Sequence, residues 1–154
     1  MRKNNVKTTL TKFTAAWSVV GAMCMMQIGY IGLSYFLQAD RPQNIIPVES
    51  RELMRSIFYL IAIINFPITN VIRHIQLRLN QTIPSHKPLN QRYLMTVVVA
   101  QVMMGTMGSL GFILFMLGDD FNTLYIFSFL AVLGFFLHRP KSEEYQSLKD
   151  NNHG

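Results

Sequence analysis

Hydrophobic and polar residues follow one another in long blocks along this chain. Four blocks are almost wholly apolar and cover about residues 13–37, 54–73, 92–117 and 121–138. A helix that crosses a bilayer needs about 20 apolar residues, within a range of roughly 17–25, so the fourth block lies at the lower limit. Because backbone groups in lipid must be satisfied within their own segment, each block is predicted to be a helix. The predicted fold is a single all-α membrane domain with four transmembrane helices and a short tail over 139–154.

Charged residues are concentrated between the apolar blocks, and their distribution predicts a topology. Of the 14 lysines and arginines, eleven lie before the first block, between the second and third or at their facing ends, or in the tail. Three lie between the first and second blocks or at the start of the second, and none between the third and fourth. The positive-inside rule then predicts a multi-pass protein of a bacterial inner membrane with both termini in the cytoplasm. It also explains the net charge of +6 without a nucleic-acid partner. Asp119 and Asp120 are predicted to mark an outward-facing, solvated turn.

The connections predict two antiparallel helical hairpins. "GDD" at 118–120 is a minimal turn between the third and fourth helices. "GYIGLSYFLQAD" at 29–40 aligns without gaps to "GSLGFILFMLGD" at 108–119, which suggests a duplicated hairpin with parallel repeats. A chance match between apolar stretches is the alternative.

Glycines recur in the third helix at a spacing that favours close helix packing. Small residues let transmembrane helices approach closely. The first helix offers a second pair of glycines at the same predicted depth. The packing surface is therefore predicted to consist of Gly105, Gly108, Ser109 and Gly111 against Gly29 and Gly32, either within the chain or between subunits. Ala131, by contrast, is expected to face lipid.

Ionisable residues are absent from the middle of every predicted helix, which counts against a pump or a proton-coupled carrier. Three amides, Gln27, Asn65 and Gln101, lie there instead at one predicted depth. They are interpreted either as interhelical hydrogen-bonding groups or as the lining of a small polar cavity. Pro67 is expected to kink the second helix close to Asn65.

Sulfur-containing residues form a second cluster near mid-membrane, and soft sulfur ligands suit Cu(I). Methionine is also a flexible filler of irregular helix interfaces, and that interpretation is preferred, so no metal or other cofactor is predicted. The candidate copper ligands are Met23, Cys24, Met26, Met103 and Met107. No phosphate-binding loop, metalloprotease histidine pair or nucleophilic triad occurs, and the chain is predicted not to be an enzyme.

The segment "GFILFMLGDDFNTLYIFSFLAVLGFFLHRP" resembles the end of small four-helix bacterial membrane proteins of unknown function. Those proteins in turn remotely resemble the proteolipid subunits of rotary ATPases. Proteolipids carry an ion-binding carboxylate within the membrane, where this chain has Asn65 and the region of Ala131. The small four-helix proteins often have a glutamate about two turns before the "GFIL" stretch, where this chain has Met104 and Gly105. The resemblance therefore implies an architecture and not ion translocation.

Two functions follow from these observations. The preferred one is a non-enzymatic membrane subunit or accessory protein that packs through its glycine-rich helix faces. Its partners would be the lipid bilayer and either other membrane subunits or copies of itself. The alternative is a small transporter or channel with an amide- and methionine-lined site for a solute or Cu(I).

Overall fold

A computed structural model describes residues 2–39, 46–82 and 89–144, with the side chains of 2–13, 89 and 90 left out of the description. Four helices make up nearly all of these ranges, and no strand occurs within them. Their bounds are α1 Arg2–Leu37, α2 Val48–Thr82, α3 Leu89–Met116 and α4 Phe121–Leu137. In α1, α2 and α3 the apolar segments are long enough to cross a membrane, whereas α4 is a shorter apolar helix.

α1, α2 and α3 all begin before their apolar blocks, and α2 extends beyond its block at both ends. α2 begins at Val48 and ends at Thr82, several residues outside the predicted 54–73 at both ends. Its first turn contains Glu49, whose charge is favourable at a helix N-terminus. The amphipathic stretch after Arg73 continues the helix because leucine, glutamine and arginine are good helix formers whether or not lipid surrounds them. Hydrophobicity alone therefore underestimates the length of this helix.

α3 is the central helix and packs against the other three. It runs antiparallel to α4, with Gln101 beside His138 and Gly111 beside Phe127. α1 and α2 lie on separate faces of α3 and scarcely touch each other. The first two helices, predicted to form a hairpin, are therefore not packed as one in this chain. Gln27 of α1 and Asn65 of α2 each bind a backbone carbonyl of α3 instead.

The main core lies between α3 and α4. Met104, Met107 and Leu114 of α3 pack there with Phe127, Ala131 and Phe135 of α4, all of them nearly inaccessible to solvent. The Tyr59 ring of α2 stacks on Phe127, with centroids 4.9 Å apart. Ala131 is fully buried in this core, so the expectation that it faces lipid is wrong. The apolar residues of α4 surround the helix, and hydrophobicity could not identify its buried side.

Large apolar side chains are exposed along most of α1 and α2. Phe36 is 84% exposed, and Ile63 and Met25 are each 67% exposed. A water-soluble monomer rarely leaves such extended apolar surfaces uncovered. These surfaces are consistent with helices that lie against lipid.

The turn between α3 and α4 has a well-defined helix-ending geometry. Gly118 has a φ of 99°, a left-handed conformation that glycine adopts without strain. The Gly118 N–H donates to the Phe115 carbonyl at 3.1 Å, and the Asp119 N–H donates to the Leu114 carbonyl at 3.0 Å. This pair of bonds is the Schellman motif, which ends a helix sharply. The glycine of "GDD" therefore ends α3, and α4 begins at Phe121.

Candidate functional site

The glycines of α3 lie against neighbouring helices. A Cβ atom at Gly105 would overlap the terminal methyl of Met23 in α1, and one at Gly108 would overlap the Gln27 amide. At Gly111, a Cβ would lie 2.5 Å from Cβ of Phe127 in α4. The α3 glycines thus bring α3 close to α1 on one side and to α4 on another.

Gly29 and Gly32 of α1 lie elsewhere. A Cβ atom at either position would meet no described atom within 4 Å. The predicted contact between these glycines and those of α3 is therefore absent within this chain. Gln27 and Tyr30 face α3 instead, and the Tyr30 hydroxyl is hydrogen-bonded to the Ser109 hydroxyl at 3.1 Å. Because Gly108 and Gly29 have such different surroundings, the aligned segments do not occupy equivalent environments.

The three amides each bind the backbone of another helix. Asn65 donates to the Met103 carbonyl at 2.7 Å, and Gln27 donates to the Gly105 carbonyl at 3.5 Å. Gln101 of α3 donates in the opposite sense, to the carbonyls of α4. Gln101, Met103 and Gly105 span little more than one turn of α3, so the three bonds lie at similar depth. The bond of Gln101 joins α3 to α4, that of Met103 joins α3 to α2, and that of Gly105 joins α3 to α1. The three amides therefore do not surround a common cavity.

The sulfur atoms are distributed over several faces of the bundle. Met103 faces α2, where its sulfur accepts a weak hydrogen bond from Thr69 at 3.8 Å. Met23 and Met26 of α1 lie beside Gly105 on another side of α3. Met107 belongs to the main core, and Cys24 is partly buried where it packs against that core. Within the described residues no group of three His, Cys, Asp or Glu side chains could hold a metal ion.

We define the turn end of the bundle by the α3–α4 turn and its partners on α2. Arg55 binds the Asp119 carboxylate with two nitrogen atoms, one of them at 2.9 Å, and Arg51 donates to the Gly118 carbonyl. Asp119 is only 1% exposed, so the expectation that it is solvated is wrong, whereas Asp120 is exposed. Burial alone would raise the pKa of Asp119. Hydrogen bonds from Arg55, the Asp120 backbone and Thr123 outweigh burial and hold this pKa below its ordinary value.

We define the tail end of the bundle by the C-terminus of α4 and its partners on α2 and α3. Arg73, which is 6% exposed, donates to the His138 carbonyl at 2.6 Å, the Arg139 carbonyl at 3.0 Å and the Glu144 carboxylate at 2.7 Å. The Tyr93 hydroxyl accepts from the Lys141 N–H at 2.9 Å and donates to its carbonyl at 3.0 Å. These bonds fasten the segment after α4 to α2 and α3.

His138 is the buried titratable group at the tail end, at 4% exposure. Its ring Nδ1 lies 3.0 Å from the Gly134 carbonyl one turn earlier. Burial lowers the pKa of His138, the Gly134 carbonyl opposes this effect, and the charges of Arg73 and Lys141 lower the pKa further. Neutral histidine is therefore the favoured form in the folded chain.

Arg73 and His138 are not among the predicted site residues. The sequence carries one signal of their contact, because α2 carries Arg-His at 73–74 and α4 is followed by His-Arg at 138–139. Such a similarity also fits a duplicated hairpin. In the structure it reflects a contact, in which the arginine of one pair binds the histidine carbonyl of the other.

The chain matches no protein-family model, no curated protein and no solved structure. The resemblance to proteolipid subunits therefore stays a prediction.

Proposed function

We propose that this protein is a non-enzymatic integral membrane subunit or accessory protein that packs against another membrane protein or a second copy of itself. One observation carries the proposal. Each of the three amides that a transporter could use near mid-membrane donates its NH₂ group to a helix backbone carbonyl, on three different sides of α3. Such bonds between helices stabilise a membrane bundle by about 0.6 kcal/mol each on average. The amides therefore act in helix packing.

The outer face of α1 supports the packing role. Gly29 and Gly32 leave open space beside the helix, and small residues of this kind allow another backbone to approach closely. We assign the partner contact to this face. The glycines of α3 are not available for it, because α1 and α4 cover them.

The same proposal includes a topology with four membrane-crossing helices in a bacterial inner membrane and both termini in the cytoplasm. The distribution of lysine and arginine supports it. A single cysteine at position 120, which is exposed, in a Cys24→Ser background should be labelled only from the outer side. Labelling of position 120 from the cytoplasm would contradict this topology.

Glycine substitutions separate assembly from folding. Gly29→Leu with Gly32→Leu should leave monomer unfolding unchanged and abolish the larger assembly, measured by native mass spectrometry after mild-detergent extraction. Gly111→Leu is the matched control within the bundle, because the added side chain must displace the α4 backbone around Phe127. It should destabilise the monomer itself by about 1–3 kcal/mol through overpacking.

Two results would contradict the proposal. One is a wild-type protein that stays monomeric in nanodiscs and mild detergent and retains a solute or copper, as expected of a transporter or channel. The other is an assembly that survives both leucine substitutions on α1, which would exclude this face as the contact.

A further inference from the structure

Several buried polar atoms at the tail end make no hydrogen bond to any described residue. They are the Arg73 Nε, Gln101 Oε1 and His138 Nε2 atoms, together with Oε1 of Gln76, which lies one turn after Arg73 on α2. The side chains of Arg73, Gln101 and His138 are all more than nine-tenths buried. Buried polar groups in proteins nearly always have a partner, either from the protein or from ordered water.

The side chains of Arg73 and Gln101 meet at the peptide carbonyl of His138. Gln101 donates through its amide nitrogen to the His138 carbonyl at 3.2 Å, and Arg73 donates to the same carbonyl at 2.6 Å. The His138 ring belongs to the same residue. Side chains from α2 and α3 thus meet the end of α4 at one point.

The hydrogen-bonding roles of the remaining atoms follow from the bonds already made. A carbonyl oxygen can only accept, so the Gln101 group that faces two carbonyls must be its NH₂, and its Oε1 is an acceptor. By the same argument, Nδ1 of His138 donates to the Gly134 carbonyl, which leaves Nε2 as an acceptor. Nε of Arg73 carries a hydrogen and is a donor. The cluster therefore offers one donor and at least two acceptors.

Water is the ligand that fits this set of groups. It donates two hydrogen bonds and accepts others, and buried waters in proteins typically make about three bonds to polar groups. An anion would face the oxygen of Gln101 and the lone pair of His138, and a metal cation would face the guanidinium of Arg73. We propose that the tail end holds ordered water bound between His138 Nε2, Gln101 Oε1 and Arg73 Nε.

The full-length protein in lipid bilayers can test this site by solid-state NMR. With ¹⁵N-labelled histidine, magnetisation transfer from water to the His138 ring should build up about as fast as transfer to His74, which is exposed on α2. His138 should also be neutral with its proton on Nδ1. In a sample that also carries ¹³C-labelled phenylalanine, a His138 ring that receives water magnetisation no faster than the fully buried Phe115 ring would overturn the proposal.

A matched pair of glutamine variants locates the water. Gln101→Met removes one acceptor from the site and should reduce the rate of transfer to His138 at least twofold. Gln27→Met makes the same change at a second buried glutamine. Gln27 lies on α1 and binds the Gly105 carbonyl of α3, so its substitution should leave transfer to His138 unchanged. Equal transfer in both variants would remove Gln101 from the site. If Gln101→Met does not fold, the wild-type comparison with His74 and Phe115 still decides the proposal.

Discussion

α2 is fastened to the α3–α4 pair at both ends by arginine, but the two ends differ in which partner is buried. At the turn end, Arg55 keeps 33% of its side-chain surface exposed while Asp119 is buried. At the tail end, Arg73 is buried and its carboxylate partner, Glu144, is more exposed. Along the helices between these ends, α2 touches α4 only sparsely.

The difference follows from how the chain continues. At the turn end, α4 is held beside α3 by the covalent turn and the Schellman bonds, so Arg55 has only to neutralise one carboxylate. At the tail end, Arg73 binds the carbonyls of His138 and Arg139, the first two residues after α4, which have no partner within that helix. The tail end therefore depends more on a single side chain.

Arg73→Met should have the largest effect. It removes donors to two carbonyls and one carboxylate, and the expected loss is about 3 kcal/mol, at the low end for breaking a buried pair because Glu144 can reach water. Unfolding in mixed micelles measures this loss. Arg78→Met, an exposed arginine on the same helix, is the control and should change stability little. If Arg73→Met and Arg78→Met were equally stable, the tail end would not depend on Arg73, and the contrast with the turn end would be wrong.

Asp119→Asn should have an intermediate effect at the turn end. The amide keeps the shape of the carboxylate but loses the charge-assisted bonds to Arg55, and the expected cost is about 1–2 kcal/mol. The exposed guanidinium can turn to water, which limits the loss. The same unfolding assay applies, with Asp120→Asn as the exposed control. A cost larger than that of Arg73→Met would reverse the comparison.

Tyr93→Phe should have a smaller effect, confined to the tail end. It removes the hydroxyl that bonds both backbone groups of Lys141, at a cost of about 1 kcal/mol. Hydrogen exchange of the Lys141 amide should accelerate, while the Asp119 amide at the other end should stay protected. Acceleration at both ends would indicate a global loss of structure.

The contributions of the two ends to stability should also depend on pH over different ranges. This is the smallest of the expected effects. The pKa of His138 is below 6.5 in the folded chain, so its contribution is complete above about pH 6.5 and declines as the pH falls. The pKa of Asp119 is below 3.8, so the turn end loses its contribution only at more acidic pH. Unfolding of His138→Gln should therefore depend less on pH between 7.5 and 5.5 than unfolding of the wild type. An identical dependence would show that His138 does not contribute.

The sequence pattern predicted the helical class and the approximate positions of the helices, because apolar block length is a direct consequence of bilayer thickness. It also identified Gln27, Asn65 and Gln101 as polar groups at one depth. It could not assign their directions, since an apolar helix such as α4 carries no amphipathic signal to indicate its buried face. The misassignment of Ala131 has this cause, and so does the absence of the Gly29 contact with the α3 glycines within the chain.

Buried ionic contacts were the other gap. Asp119 was interpreted from local charge alone, and its burial depends on Arg55, which lies 64 residues earlier. Arg73 stands at the boundary of an apolar block, where the positive-inside rule explains arginine without any contact. Only the packing of α2 beside the end of α4 shows that this side chain is buried.

The length of α2 limits how the molecule can sit in a bilayer. Its 35 residues extend roughly 52 Å at 1.5 Å per residue, against a hydrocarbon thickness of about 30 Å. Even at a steep tilt of about 40°, roughly nine residues would remain outside the hydrocarbon. The polar stretch from Arg73 to Thr82 suits that position, and Asn80 is bonded there to Thr96 of α3 at 3.1 Å. The C-terminal end of α2 would then emerge through the lipid headgroups, where a water-soluble protease or antibody can reach it.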